Sequence, residues 1–174
     1  MITINAATKK QLPSLVPIYM KAFKKHNIFH KKEKEVLKYI KETHNQNLPY
    51  GGGYMVAMLD DPLKDIKEKV IGAILVKFKD LTNDGHLRIQ LKHLAVEQKY
   101  NHFDADKDLI VEALNKVYFA IKDEKCRSGK VEVHLAEDEQ TLELFKKIGF
   151  KVEGTLADYY RMGENCLILG KTIE

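Results

Sequence analysis

Apolar positions along this chain recur at two spacings, and the change from one to the other marks out its elements. Ile2 and Ile4 alternate with polar neighbours and predict a short strand. Thr8 followed by Gln11 has the spacing of a capping box. Leu12, Leu15, Val16, Tyr19 and Phe23 then recur at helical spacing, with Pro13 and Pro17 leaving the start and straightness of that helix open. Residues 31–43 predict a second helix, with Val36, Leu37 and Ile40 on one face. Pro49 and the glycines Gly51, Gly52 and Gly53 interrupt the pattern, as a turn or a flexible lead-in to a strand over 54–59. A charged turn at 60–69, a strand over 70–79, a turn at Asn83-Asp-Gly85 and a strand over 87–96 predict an antiparallel meander.

An irregular segment, 97–106, precedes an amphipathic helix carrying Leu109, Ile110, Ala113, Leu114, Val117 and Ile121 on its apolar face. A strand over 131–135 follows, then a short helix over 141–148 stopped by Gly149. Two strands, 150–156 and 166–172, close the chain around a turn at Gly163. The strand–helix–strand in the middle requires a parallel pair, because a crossover helix joins parallel neighbours. The expected fold class is α/β (α+β) with a mixed sheet, antiparallel first and parallel at its centre. No linker, repeat or low-complexity stretch interrupts it, so residues 1–174 read as a single domain.

Composition narrows the function classes. With 44% apolar and 31% charged residues, the chain is globular rather than disordered. Its net charge of +4 suits an acidic or phosphorylated ligand. A nucleic-acid binder carries a denser basic stripe, and the pairs Lys24-Lys25 and Lys31-Lys32 read as solvated helix surface. Cys126 and Cys166 read as two reduced thiols, and no Cys/His spacing matches a metal site. The N-terminus has no basic leader, and the longest apolar run, 70–76, is too short to span a membrane. A cytoplasmic protein with no membrane partner is expected.

Two stretches carry a resemblance to a known family. Leu94-Ala-Val-Glu-Gln-Lys-Tyr100 resembles the fourth strand and the start of the cofactor loop of the GNAT acetyltransferase superfamily. Leu144-Phe-Lys-Lys-Ile-Gly-Phe150, Val152-Glu-Gly154, Asp158-Tyr-Tyr160 and Gly163-Glu-Asn-Cys-Leu-Ile168 resemble its C-terminal segment. The resemblance implies the GNAT fold: a mostly antiparallel mixed sheet of six to seven strands, flanked by about four helices and splayed between the fourth and fifth strands. It also implies acetyl-CoA as cosubstrate and a primary amine, such as a peptide or protein N-terminus, as acceptor.

The resemblance places residues as well. Backbone groups of Leu94, Ala95 and Val96 would pair with the pantetheine arm, and Phe145 would pack against it. The phosphate loop would be Asn101, His102, Phe103, Asp104, Ala105, Asp106 and Lys107. In it, Asn101 stands where Arg or Gln is usual, and Asp104 and Asp106 stand at the glycine and the second small residue. A Cβ and a carboxylate at those positions oppose close approach by a phosphate, and either Asp can instead accept N–H groups at the helix start. Phosphates could also sit toward Lys99, His102 or Lys107.

Gln90 occupies the position of the family's usual fourth-strand base, Phe145 that of its Tyr acid, and Asp138 that of an Asn that helps hold the cofactor. The remaining candidates are His134 as base, with His93 expected on the other face from Gln90. Tyr159 and Tyr160 would line a peptide channel, and Tyr160 is also a catalytic candidate. Two readings stay open: an acyl-CoA-dependent N-acetyltransferase, and a catalytically degenerate GNAT-fold binding or regulatory module that binds CoA weakly or not at all. Oligomeric state is open, a dimer included.

Overall fold

The computed structural model describes residues 1–24, 26–123 and 126–174; Lys25, one of the paired lysines, lies outside them. Seven strands are assigned: β1 (Ile2–Ala6), β2 (Gly53–Asp61), β3 (Ile66–Leu81), β4 (His86–Val96), β5 (Ser128–Ala136), β6 (Lys151–Arg161) and β7 (Glu164–Ile173). Four α-helices accompany them: α1 (Leu15–Ala22), α2 (Glu33–Asn47), α3 (Ala105–Asp123) and α4 (Leu142–Ile148). The strands form one mixed sheet in the order β1-β2-β3-β4-β5-β7-β6. The pair joined through α3, β4 and β5, is parallel, as the crossover requires. The pairs β1·β2, β2·β3, β5·β7 and β6·β7 are antiparallel. Among the described residues, no helix is long and apolar enough to cross a membrane.

The element order is the one the periodicities predict; the differences lie at boundaries. The charged stretch at 60–69 is a tight hairpin rather than an open turn. The Asp61 carboxylate accepts the Leu63 N–H at 3.2 Å, Pro62–Lys64 makes a 3₁₀ turn, and Ile66 pairs back with Asp61. Segment 97–106 contains a 3₁₀ helix, Gln98–Phe103.

Two compact units divide the chain. The first is Met1–Val76 with His93–Ala113. Its core gathers Leu12, Leu15, Tyr19, Phe29, Val36, Ile40, Tyr54 and Val56, all essentially buried. Burying side chains of this size stabilises by about 1.5–3 kcal/mol each. Helix α2 buries Val36, Ile40, Thr43, His44 and Asn47, a stripe at helical spacing. At its start the Glu35 carboxylate accepts the Lys32 N–H at 3.2 Å. The glycine triplet is a packed turn. Gly51 is left-handed (φ 75°), and a Cβ on Gly53 would meet the His44 ring 2.8 Å away. That approach lets His44 Nδ1 accept the Tyr54 N–H at 3.0 Å. A cavity of about 520 Å³ opens in this unit, walled by Lys10, Gln11, Met58, Lys69 and Glu97 among others.

The second unit is Lys77–Lys92 with Leu114–Glu174. Val131, Val133 and Leu135 on β5 are buried, while Lys130, Glu132 and His134 between them are half-buried. This alternation gives β5 an apolar face and a polar one. Gly129 takes no side chain because a Cβ there would collide with Ile121 of α3. Gly149 ends α4 in a left-handed turn (φ 108°), and Phe150 returns its N–H to the Phe145 carbonyl at 3.0 Å. Cys166 is buried and Cys126 half-buried, and neither is in a disulfide among the described residues.

Candidate functional site

In the first unit the relevant residues lie on the end of β4 and the turn into α3. His93 has a positive φ of 55°, an unusual conformation for a non-glycine residue inside a strand. Its ring is only 7% exposed. It packs among Phe29 (centroids 5.0 Å), Tyr39 (5.8 Å), Tyr19 and Phe23 (both 5.9 Å). Its Nε2 lies 2.8 Å from the Tyr39 hydroxyl. His93 therefore belongs to an aromatic core and serves packing. Beyond it Ala95 is buried, and Leu94 and Val96 are half-buried. The bare Gly72 of β3 admits this stretch, since a Cβ there would meet the Ala95 carbonyl at 2.7 Å.

The turn into α3 is acidic and internally bonded. Lys69 and Lys99 both pair with Glu97, at 3.2 and 3.4 Å, and both ammonium groups stand over the buried Tyr100 ring. Lys99 is thus held by Glu97. Asn101 and His102 are exposed; Phe103 is half-buried against the His102 ring at 4.1 Å. Asp104 adopts a left-handed φ of 53°, and its carbonyl accepts the Asp108 N–H at 3.1 Å, the first bond of α3. The residue at the expected glycine position thus keeps a glycine-like backbone, which Asp tolerates better than most residues. Ala105 is buried, and the Asp106 carboxylate accepts the Lys107 N–H at 2.8 Å. One donor of the helix start is thereby occupied by the protein's own acid. None of 101–107 lines the cavity of this unit.

In the second unit the polar face of β5 carries a hydrogen-bonded pair: His134 Nε2 lies 2.6 Å from Glu132 Oε1. Glu132 is also 3.8 Å from the Lys79 ammonium. Gln90 stands in register with Glu132 and is buried. On the other side, β7 pairs Ile168 with His134 and Cys166 with Ala136, so Cys166 shares the His134 face. The Tyr160 hydroxyl donates to Cys166 Sγ at 3.7 Å. Burial, and secondarily the contact with Cys166, push the Tyr160 phenol well above its ordinary range, so it holds its proton at neutral pH. Burial raises the Cys166 thiol likewise. Tyr159 is exposed and meets Tyr160 edge-on, centroids 5.0 Å apart. Asp138 lies in the exposed turn after β5. Phe145 is fully buried, edge-on to Phe150 at 5.2 Å.

The sequence reading missed Glu132 as the partner of His134. The signal was present: an acid two residues before a histidine on a strand puts both on one face. It also missed Cys166 as the neighbour of Tyr160, which only the pairing of β6 with β7 reveals.

No known family's sequence profile matches this chain, and no curated protein matches its sequence. Solved structures do match in shape. One is the NatC complex bound to Gag peptide and CoA, with TM-score 0.74, 20% identity and 99% of each chain covered. Another is Naa50 from Arabidopsis thaliana with the bisubstrate analogue CoA-Ac-MVNAL, with TM-score 0.70, 16% identity, and 98% of this chain and 97% of that one covered. A third, from Desulfovibrio desulfuricans and assigned to the GNAT family of acetyltransferases, has TM-score 0.65 at 15% identity with 98% of each chain covered. Over its whole length, then, this chain has the fold of the GNAT acetyltransferases.

Proposed function

We propose that the chain is an acyl-CoA-dependent N-acetyltransferase whose acceptor is a primary amine of the peptide N-terminus class. The observation that carries this reading is the His134–Glu132 pair on the same β5–β7 face as the proton-bearing Tyr160. Support comes also from neighbours of the same fold that hold CoA with a peptide or a bisubstrate analogue.

Acetyl-CoA, when bound, supplies the thioester. Its fit to the first unit is good in backbone and poor in charge. Leu94, Ala95 and Val96 would offer strand-edge amides to the pantetheine arm. Asn101 to Lys107 would face the phosphates. Asp104 keeps the backbone conformation of a cradle, but Asp104 and Asp106 bring negative charge to it. Each carboxylate opposes a nearby phosphate by about 1 kcal/mol in water.

The acceptor amine must be neutral to attack, and an α-amino group with a reference pKa of roughly 7.7–8.0 is nearly so at neutral pH. His134 accepts the proton released as the amine adds, and Glu132 orients the ring. Tyr160, which keeps its proton, donates a hydrogen bond to the departing thiolate, and Tyr159 offers an exposed aromatic face to the peptide. The test is direct: incubate the protein with acetyl-CoA and peptides with free N-termini, and follow the acetyl mass increment. Transfer that disappears in His134→Ala supports the reading; no transfer to any peptide overturns it.

A second reading, a degenerate binding module, is favoured by one observation: the Asp106 carboxylate already occupies a donor at the helix start. A thermal shift distinguishes the two. A ligand at a hundred times its Kd adds about 2.7 kcal/mol. A shift with acetyl-CoA but no transfer supports the module.

A further inference from the structure

The polar face of the second unit holds more positive charge than its own acids neutralise. Arg88 is bound by Asp80, and Lys130 by Glu153. Lys79 shares Glu132 with His134. Lys77 and Lys92 have no ion-pair partner among the described residues, although they sit in the same cluster. Lys92 is half-buried, and burial together with the charges of Lys77 and Lys79 pushes its ammonium down. Holding a half-buried ammonium beside two like charges is unfavourable unless an anion completes the group.

The position of the cluster says which anion. Lys92 follows Gln90 by two on β4 and therefore shares its face, and Gln90 is in register with Glu132. This ladder ends with Leu91 opposite Val133, so Lys92 stands at the register position of His134, one step on. The unneutralised charge thus lies beside the proposed catalytic histidine, where the residues following an acceptor's amine would pass.

We propose that Lys77 and Lys92 form a carboxylate subsite that selects acceptor peptides with Asp or Glu at the residues bearing or following the reacting amine. This rests on the N-acetyltransferase reading above. The cluster holds two half-buried lysines, Lys77 and Lys92, so it suits a single side-chain carboxylate. Lys79 is already committed to Glu132, so the selectivity falls to the other two.

The experiment uses the full chain and hexapeptides matched except for Glu or Gln at the first two positions, labelled with fluorescein at the C-terminus. Binding is read by anisotropy, and transfer by initial rates with acetyl-CoA. Charge-assisted contacts make the expected preference for the Glu peptide about tenfold in Kd and in KM. In Lys92→Met, which keeps the apolar stem, and in Lys77→Ala, the Glu/Gln ratio should collapse toward one. Lys77→Glu should invert it toward a Lys peptide. Equal handling of both peptides by the native chain, or a preference that survives in both variants, overturns the subsite. If the same lysines instead favour a dicarboxylic acyl donor over acetyl-CoA, the assignment to the acceptor is overturned. Should no peptide be acetylated, the transfer reading fails by itself: tighter binding of the Glu peptide that is lost in the variants still supports the subsite, and equal binding overturns it. Thermal melts of each variant confirm folding.

Discussion

The turn into α3 and the polar face of β5 differ in what their residues leave available. At the turn, Asp104, Asp106 and Asp108 crowd the start of a helix where an anion-binding protein would keep its donors bare. Yet Asp104 still adopts the left-handed conformation that the missing glycine would take. On β5 the usual acidic or His base of strand β4 is absent, since Gln90 stands there. A histidine–carboxylate pair nevertheless stands one strand over, Glu132 with His134. The difference teaches that a lost motif residue does not mean a lost geometry. The turn holds a left-handed residue without a glycine, and the histidine–carboxylate pair lies on β5.

Five substitutions in the two regions break or sharpen that contrast, beginning with the largest effect. His134→Ala should lower kcat by about 10²–10⁴, the usual contribution of a positioned base, with little change in acetyl-CoA affinity. Glu132→Gln should lower kcat less than His134→Ala does, because the imidazole stays on β5 but loses the carboxylate that orients it. Tyr160→Phe should lower kcat by about a hundredfold, at the modest end of that range, and leave KM for peptide nearly unchanged. Steady-state kinetics at several pH values read all three.

At the turn the effects are smaller and run the other way. Asp104→Gly with Asp106→Ala should tighten acetyl-CoA about fivefold for each carboxylate removed, measured by calorimetry. Asp104→Gly alone should also raise stability by about 0.5–1 kcal/mol, since φ is already left-handed. An unchanged Kd would mean that phosphates do not come near these residues.

The smallest effect lies in the aromatic core of the first unit. The Tyr19 hydroxyl is buried without a hydrogen-bond partner among the described residues. Burial, then the neighbouring phenols Tyr54 and Tyr39, raise its pKa well above the ordinary value. Its folded-state pKa lies above the unfolded value of about 10, so its stabilisation is complete below pH 10 and declines as pH rises past that point. Tyr19→Phe should gain about 1 kcal/mol in chemical denaturation at neutral pH and flatten the alkaline decline.

Much of this was legible before any coordinates. The order of strands and helices followed from spacings of two and of three to four residues, because a face that must be buried imposes its period on the chain. The parallel β4·β5 pair followed from the helix between them, and the stop at Gly149 from its freedom to adopt positive φ. His134 and the two tyrosines stood out as residue types that bear protons or aromatic faces.

What the sequence could not fix was which distant groups share a volume. It named His93 and His134 as alternatives, and only the fold sent one into a shell of Phe29, Tyr19 and Tyr39 while giving the other a carboxylate. It showed Asp104 as a lost glycine, and only the backbone revealed that the turn had kept its shape. It scattered Lys77, Lys79 and Lys92 over two strands, and only the sheet brought their charges together. Local periodicity is a property of neighbours in sequence and is written there. Hydrogen bonds and charge clusters depend on register between strands far apart in the chain, which the packing of the whole determines.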